Sequence, residues 1–363
     1  MRHRFHALCP YFAMFPESFV EQWVTELTRP NDVVFDPFCG RGTAPFTALL
    51  MERRAIGNDI NPVAYCVSKA KTNAPAASQV RRRLTMLEQG YDRDEWEAER
   101  RSLPEFFGYA YGRETLRQLL YLRQRLHWRK SDTDCMIAAV TLGSLHGDGA
   151  SASYLSNQMP RTISTKPGYS VRYWQEHGMR PPKRNAFDVL RRTVSFRYAS
   201  EPPSDRALVL SEDVRDLPRY VHTFPRPVRF AITSPPYFDT TNYEEDQWLR
   251  LWFLGGAPHP TYGVISRDDR HEKTTRYWGL IDDMWRSLAV ILDENANVVI
   301  RIGVRGMAPR RVAEAVEGTS ALSRRPTKLV RWEASPAKGR QTKAFRPGSE
   351  GVAVEVDCHF IMV

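Results

Sequence analysis

Asp36-Pro37-Phe38-Cys39-Gly40-Arg41-Gly42-Thr43 is the stretch on which the fold turns. Immediately before it, Val33-Val34-Phe35 is a short apolar, β-branched run of the kind that forms a buried strand. After it, residues 44–53 have the composition of a helix, with Thr43 as the expected N-cap. Ala55-Ile56-Gly57-Asn58-Asp59 predicts a second strand that ends on an acid, and Pro62 opens a further helix over 63–71. Strand, glycine turn, helix, strand, acid and helix make the front half of a doubly wound α/β sheet.

Such a turn brings backbone close to a ligand, because glycine has no Cβ in the way. Asp36 can meet a ligand's charged amino-acid end, directly or through water. Asp59 lies 17 residues after Gly42, at a strand end, where its carboxylate can accept both hydroxyls of a ribose. A nicotinamide nucleotide would use the same acid. However, Pro45 stands where the third glycine of a G-x-G-x-x-G turn would be, so a ligand without phosphates fits better. The bland alternative is a tight turn in an ordinary α/β protein.

A second motif follows the predicted strand over 228–233. In Ser234-Pro235-Pro236-Tyr237 two prolines fix φ and remove two backbone donors. The carbonyls of Ser234 and Pro235 are then free acceptors for the two hydrogens of an exocyclic NH2 group. Tyr237 can stack on the flat face of the base that carries it. Alone, the same string would suit a Pro-Pro loop with a core tyrosine.

Residues 36–43 resemble the cofactor-binding signature of amino-directed, S-adenosylmethionine-dependent DNA methyltransferases, and residues 234–237 resemble their catalytic tetrapeptide. The Ser-Pro-Pro-Tyr form is most typical of cytosine-N4 enzymes; adenine-N6 enzymes more often have Asp or Asn first. The resemblance implies a Rossmann-like class I methyltransferase fold: a seven-stranded, mostly parallel sheet with an antiparallel last strand. It implies S-adenosylmethionine as cofactor and a cytosine flipped from duplex DNA as substrate. It also assigns roles. Tyr11, Phe12, Phe15 and Pro16 would pack over the methionine part of the cofactor. Asp36, Pro37, Phe38, Gly40, Gly42, Thr43, Asp59 and Ile60 would form the rest of its cradle. Asp213, followed by Val214, would meet the adenine amine. Ser234, Pro235, Pro236 and Tyr237 would be catalytic. Arg41 departs from the family pattern, where a small residue is commoner, and is expected to point outward. The matching segments cover residues 10–72 and 207–302. The alternatives are an adenine-N6 DNA enzyme, a guanine-N2 RNA enzyme, and a nucleic-acid-binding protein with a dead site. Cysteine-nucleophile C5 chemistry is disfavoured, since no Pro-Cys pair occurs.

About 130 residues separate the two halves of the α/β pattern, so the expected organisation is a catalytic domain over 1–78 and 207–363 with a target-recognition insertion at 79–206. Residues 79–128 are helical in period, with Leu116, Leu119, Leu120, Leu122 and Leu126 on one face. Helices are also expected over 134–145 and 185–194. Residues 147–182, rich in Gly, Ser, Asn and Pro, suggest a long functional loop. Between Gly147 and Arg192, Arg161, Lys166, Arg172, Arg180, Lys183 and Arg184 are interleaved with Tyr154, Tyr169, Tyr173 and Trp174, a composition suited to phosphate contacts and stacking. A solvated basic surface would have the same composition. After the insertion, strands are expected at 207–210, 297–302, 328–332 and 352–362, and a helix at 281–292. A basic loop over 335–349 adds Lys338, Arg340 and Lys343 to the candidate DNA contacts.

The bulk properties agree with a DNA partner without requiring one. The chain has 363 residues, 42% hydrophobic and 26% charged, with a formal net charge of +10 that favours polyanions. Its five cysteines show no CxxC pair, which predicts reduced, buried thiols and neither a zinc site nor any other metal. No apolar run approaches the ~18 residues of a membrane span. A cytoplasmic protein without membrane contact is expected, monomeric or homodimeric, and a cognate restriction endonuclease is a compatible partner. His146 is expected in a loop or at a phosphate rather than as a general base.

Overall fold

Val33–Asp36 (β1) is buried along its whole length, as a run of Val, Val and Phe requires. In the computed structural model β1 is flanked by Arg54–Asn58 (β2) and Phe230–Thr233 (β4), both parallel to it. The model describes residues 2–11, 15–147, 152–160, 166–237, 243–261, 274–303, 307–336 and 354–363. With Leu208–Leu210 (β3), Ala296–Gly303 (β5), Thr327–Pro336 (β6) and Val354–Met362 (β7), the strands form one seven-stranded sheet in the order β3-β2-β1-β4-β5-β7-β6. β7 runs antiparallel to both its neighbours; the pairs from β3 to β5 are parallel. This is the Rossmann-like class I methyltransferase architecture.

The period-2 alternation of strand side chains assigns each apolar residue to a face. Val33, Phe35, Ala231, Val298, Ile300 and Ile302 join one core, with Ile281, Met284, Trp285 and Leu288 of helix Thr274–Ile291 and Val312 and Val316 of helix Pro309–Ser320. Val34, Phe230, Ile232 and Val299 point the other way, to Phe19, Val20 and Trp23 of helix Glu17–Leu27 and Ala44 and Ala48 of helix Thr43–Leu50. Each buried Val, Leu, Ile, Met or Phe side chain among these contributes about 1.5–3 kcal/mol by leaving water. All five cysteines are buried, and none forms a disulfide.

The chain divides into two compact units. One comprises Tyr11–Ser68, Pro203–Asn242 and Ile265–Val363, and contains the sheet; the other comprises Met1–Pro10, Lys69–Pro202 and Tyr243–Val264, and is helical. This division differs from the expected insertion at 79–206. The helical unit also takes helix Tyr243–Phe253, because its Trp248 and Trp252 pack on Phe106 and Phe107, with ring centroids 5.2 and 4.5 Å apart for the pairs Phe106–Trp248 and Phe107–Trp252.

Within the helical unit the long helical period resolves into Ala77–Gln89, Glu97–Ser102, Glu105–Ala110 and Arg113–Arg125, with Gly90, Pro104 and Gly112 at the breaks. Helix Asp132–Ser144 and helix Ala186–Arg197 follow expectation. The expected loop over 147–182 is not wholly irregular: Pro167–Glu176 is a helix with Pro at its first position. Its Ser170, Val171 and Trp174 form the buried face, and the Trp174 indole donates to the Gln158 carbonyl at 2.6 Å. No helix among the described residues is long and apolar enough to cross a membrane.

Candidate active site

The strand order reverses direction between β1 and β4, so a crevice opens at the carboxyl ends of these two strands. Asp36 ends β1 and Thr233 ends β4. The Thr233 hydroxyl donates to Asp36 Oδ1 at 2.7 Å, and the Phe38 amide donates to the same oxygen at 3.1 Å. Asp36 Oδ2 is buried and has no hydrogen-bond partner among the described residues. Burial pushes the Asp36 carboxyl up to about 7 against the pull of those two hydrogen bonds, and the nearby Asp59 adds to the rise.

The glycine turn is built as its residues require. Gly40 and Gly42 sit at φ 51 and 72, in the left-handed region that glycine enters without strain. A Cβ on Gly42 would lie 2.6 Å from Ser68 Oγ and 3.0 Å from Ser68 Cα. That hydroxyl in turn donates to the Gly40 carbonyl at 2.8 Å. Gly42, not Thr43, is the residue before the helix; Thr43 is the first helical residue, and its buried hydroxyl has no partner among the described residues. The expected Thr43 cap fails because the chain enters the helix from a left-handed glycine.

Asp59 follows β2 and accepts from the Gly40 amide at 2.9 Å and from the Asn61 amide at 3.0 Å. Burial pushes its carboxyl up to about 6 despite both bonds. Asn58, the last residue of β2, ties the neighbouring strand ends together. Its Nδ2 donates to the carbonyls of Pro37 and Glu212 at 3.1 and 3.0 Å, and its Oδ1 accepts from the Glu212 amide at 3.0 Å. Asn61 Nδ2 is another buried polar atom with no partner among the described residues. The Tyr11 ring lies beside the turn, 3.5 Å from where a Cβ of Gly40 would be. Arg41 does not point outward as expected. It is buried and faces Glu17 at 3.6 Å, which gives its charge a partner inside the unit.

Beyond β4, Ser234 and Pro236 are half-buried and Pro235 and Tyr237 are buried. The Tyr237 hydroxyl donates to Glu355 Oε1 at 2.8 Å. Glu355 also faces Arg301 Nη1 at 3.3 Å, and Arg301 is held by both oxygens of Asp357 at 2.6 and 2.7 Å. The Arg301 guanidinium lies over the Phe19 ring at 3.8 Å. Burial, with Glu355 alongside, keeps the Tyr237 hydroxyl protonated well above the usual tyrosine range. The antiparallel register of β5 and β7 places Arg301 opposite Asp357 and Gly303 opposite Glu355, which is how two distant acids reach one arginine.

The other expected residues are placed as follows. Phe15 is core, 5.1 Å from Phe19 between ring centroids, and Pro16 is exposed at the start of helix Glu17–Leu27. Phe38 and Ile60 are half-buried. Val214 is buried, and its carbonyl accepts from Ser287 at 2.6 Å. Asp213 caps the 3₁₀ helix Val214–Thr223, and its two oxygens accept from the Arg215 guanidinium at 3.0 and 3.1 Å. Among the expected DNA contacts, Arg172 and Lys183 are exposed, Arg184 is half-buried and Lys166 pairs with Glu245 at 3.2 Å. His146 is buried, which removes it as a phosphate contact. Phe12, Arg161, Lys338, Arg340 and Lys343 lie outside the described residues. No cluster of His, Cys, Asp and Glu fit to hold a metal occurs among the described residues. Sequence reasoning missed Asn58, Asn61, Thr233, Arg301 and Glu355 as parts of the site. Thr233 and Asn58 stood beside the motifs that were found; Glu355 carried no local signal.

Comparison with known proteins gives three kinds of finding. A family model described as DNA methylase matches residues 3–70. The orphan methyltransferase M.BamHII of Bacillus amyloliquefaciens is 41% identical over 54 residues, 15% of this chain and 20% of that protein. The type II methyltransferase M.MvaI of Kocuria varians is 32% identical over 91 residues, 24% of this chain and 19% of that protein. The chain thus spans about one fifth of the length of the curated relatives it matches. Among solved structures, the rRNA methyltransferase aviRa of Streptomyces viridochromogenes is 13% identical with a TM-score of 0.36, covering 100% of this chain and 94% of that one.

Proposed function

We propose that this protein transfers a methyl group from S-adenosylmethionine to the N4 amine of cytosine in duplex DNA. The observation that carries the proposal is the 2.7 Å hydrogen bond from Thr233 to Asp36. It joins the first residue of the glycine turn to the residue preceding the Ser-Pro-Pro-Tyr segment, so two motifs about 190 residues apart in sequence start side by side at the ends of adjacent strands. The partial matches to DNA methylases support the same reading.

The residues present fit the cofactor. Its ammonium and sulfonium groups are cationic, and Asp36 offers a buried oxygen without a partner among the described residues. Asn61 offers an unpartnered donor close to Asp59 in sequence, and each Asp59 oxygen keeps a lone pair for a ribose hydroxyl after its one backbone bond. When bound, the cofactor supplies an electrophilic methyl group. The chain supplies position. Flipping the cytosine costs a few kcal/mol. The carbonyls of Ser234 and Pro235 accept the two N4 hydrogens and aim the nitrogen; Pro236 holds the turn, and Tyr237 packs on the base. The N4 nitrogen would take the methyl group as its bond to the cofactor sulfur breaks, with the neutral thioether as leaving group, and would give up one proton to solvent or a nearby acceptor. Most of the rate enhancement is then orientation.

A cognate restriction endonuclease, and a monomeric or homodimeric state, belong to the same proposal. The test is incubation with duplex DNA and isotopically labelled S-adenosylmethionine, followed by mass spectrometry of the nucleosides. Labelled N4-methyldeoxycytidine is expected. Labelled N6-methyldeoxyadenosine would move the assignment to adenine, and label in RNA alone would replace the DNA substrate. Cofactor binding without transfer to any of these would leave a binding protein with a dead site.

A further inference from the structure

The helical unit carries a feature that none of the motifs accounts for. Glu97, the first residue of helix Glu97–Ser102, accepts hydrogen bonds from four arginines. Arg100 and Arg113 each reach both of its oxygens, at 2.9 and 3.0 Å for Arg100 and 2.9 and 3.2 Å for Arg113. Arg101 uses Nε alone at 3.0 Å, and Arg117 reaches Oε2 from Nε at 2.8 Å. One further acid, Glu114, lies 3.4 Å from Arg117. Four cations therefore share two anions. These guanidiniums repel one another, and the fold retains them at a cost that an incoming anion would relieve.

The cluster borders a cleft of about 440 Å³, lined among others by Arg100, Arg101, Arg180, Pro104, Tyr109 and Leu116. Arg180 has no side-chain partner among the described residues and is exposed. Glu105 is the acid in the lining, and Gln175 Nε2 bonds both it and the Tyr109 hydroxyl, at 3.4 and 3.0 Å. Arg101 is 70% exposed and keeps its terminal nitrogens off Glu97, so the fork that binds phosphate oxygens in pairs is presented to solvent. The apolar lining suits a sugar face next to the phosphate rather than an inorganic anion alone.

We propose that this cleft, with Arg101 and Arg180 as its donors, grips the phosphodiester backbone of duplex DNA. The proposal rests on the reading of the protein as a DNA methyltransferase, and it places a backbone-binding site apart from most of the basic residues singled out in the sequence.

The test is the full-length double variant Arg101→Gln/Arg180→Gln, with duplex binding measured across a salt series. Affinity at physiological salt should fall on the order of tenfold. The log–log salt slope should become shallower by up to about 0.9 for each phosphate that is no longer gripped. S-adenosylmethionine affinity and the melting temperature should not change. Arg310→Gln/Arg311→Gln, which removes the same charge from the exposed start of helix Pro309–Ser320, should behave as the wild type. Native affinity and slope in the first variant would overturn the cleft, and so would an equal loss in the second, since general charge would then explain both. A wild type that binds duplex, with the variant defect, but transfers no methyl would support the cleft and overturn the catalytic reading. A wild type that binds no duplex would overturn both.

Discussion

The glycine turn and the Glu97 cluster are opposite solutions to the placing of carboxylates. At the turn, Asp36 and Asp59 are held by amides and a hydroxyl, and burial pushes them up to about 7 and about 6. In the helical unit Glu97 is held well below the usual carboxylate range, first by Arg100 and then by three more arginines. One region has anions short of cations; the other has cations short of anions. A protein that only had to fold would balance both, because uncompensated charge opposes folding. On the proposed reading, each imbalance is the complement of a ligand: a cationic cofactor at the turn, a polyanion at the cluster.

The strongest way to break this comparison is Asp36→Asn. Loss of a charged acceptor should weaken S-adenosylmethionine binding by about 1.5–3 kcal/mol, ten- to more than a hundredfold by calorimetry. The ligand-free protein should become more stable near neutral pH. Because Asp36 binds its proton more tightly folded than unfolded, the wild type loses stability as pH rises from the ordinary carboxylate value of 3.8 to about 7. The asparagine variant should lose less over that window in thermal melts. A variant that binds the cofactor as the wild type does would remove Asp36 from the site.

Affinity for the cofactor should also follow pH. A bound cation favours the ionised acids, so binding releases protons and tightens as pH rises. Between pH 6 and 7.5 the dissociation constant should fall about tenfold, given free-protein values near 7 and 6. A flat profile would show that Asp36 does not face the cation.

A smaller effect sharpens the catalytic half. Glu355→Gln should reduce turnover several-fold with cofactor affinity unchanged, because it loosens the Tyr237 ring rather than the cradle. In a Tyr237→Phe background the same change should cost little more, since the hydroxyl it holds is gone. Additive losses would make Glu355 a partner of Arg301 alone. Smallest of all, Glu97→Gln should lower the melting temperature at low salt, and inorganic phosphate should restore much of it. Indifference to phosphate would mean that the arginines are adequately solvated as they stand.

Local patterns were legible in the sequence, and pairings across the sheet were not. The run from Val33 to Asp59 could be read because strand, turn and acid follow one another within a single α/β unit. The bond between Thr233 and Asp36 depends on β4 lying beside β1, which no neighbouring residue announces. Glu355 depends on the register of β7, and a shift of one residue would send it to the other face. Helix Pro167–Glu176 was hidden by a composition of Gly, Ser, Asn and Pro around it, although Val171 and Trp174 carry its buried face. Arg41 was misplaced because composition does not reveal that Glu17 lies 3.6 Å away.

The Thr233–Asp36 hydrogen bond bears on the order in which two substrates arrive. A hydroxyl donates more strongly to an ionised carboxylate than to a neutral one. A cation beside Asp36 would therefore tighten the anchor of the residue that leads into Ser234, and the segment proposed to receive the base would stiffen once the cofactor is in place. Occupancy on one side of the crevice is thereby felt on the other through a single proton. In kinetic terms this favours a sequence in which cofactor precedes nucleic acid, and duplex affinity measured with and without a non-reactive cofactor analogue would register the difference.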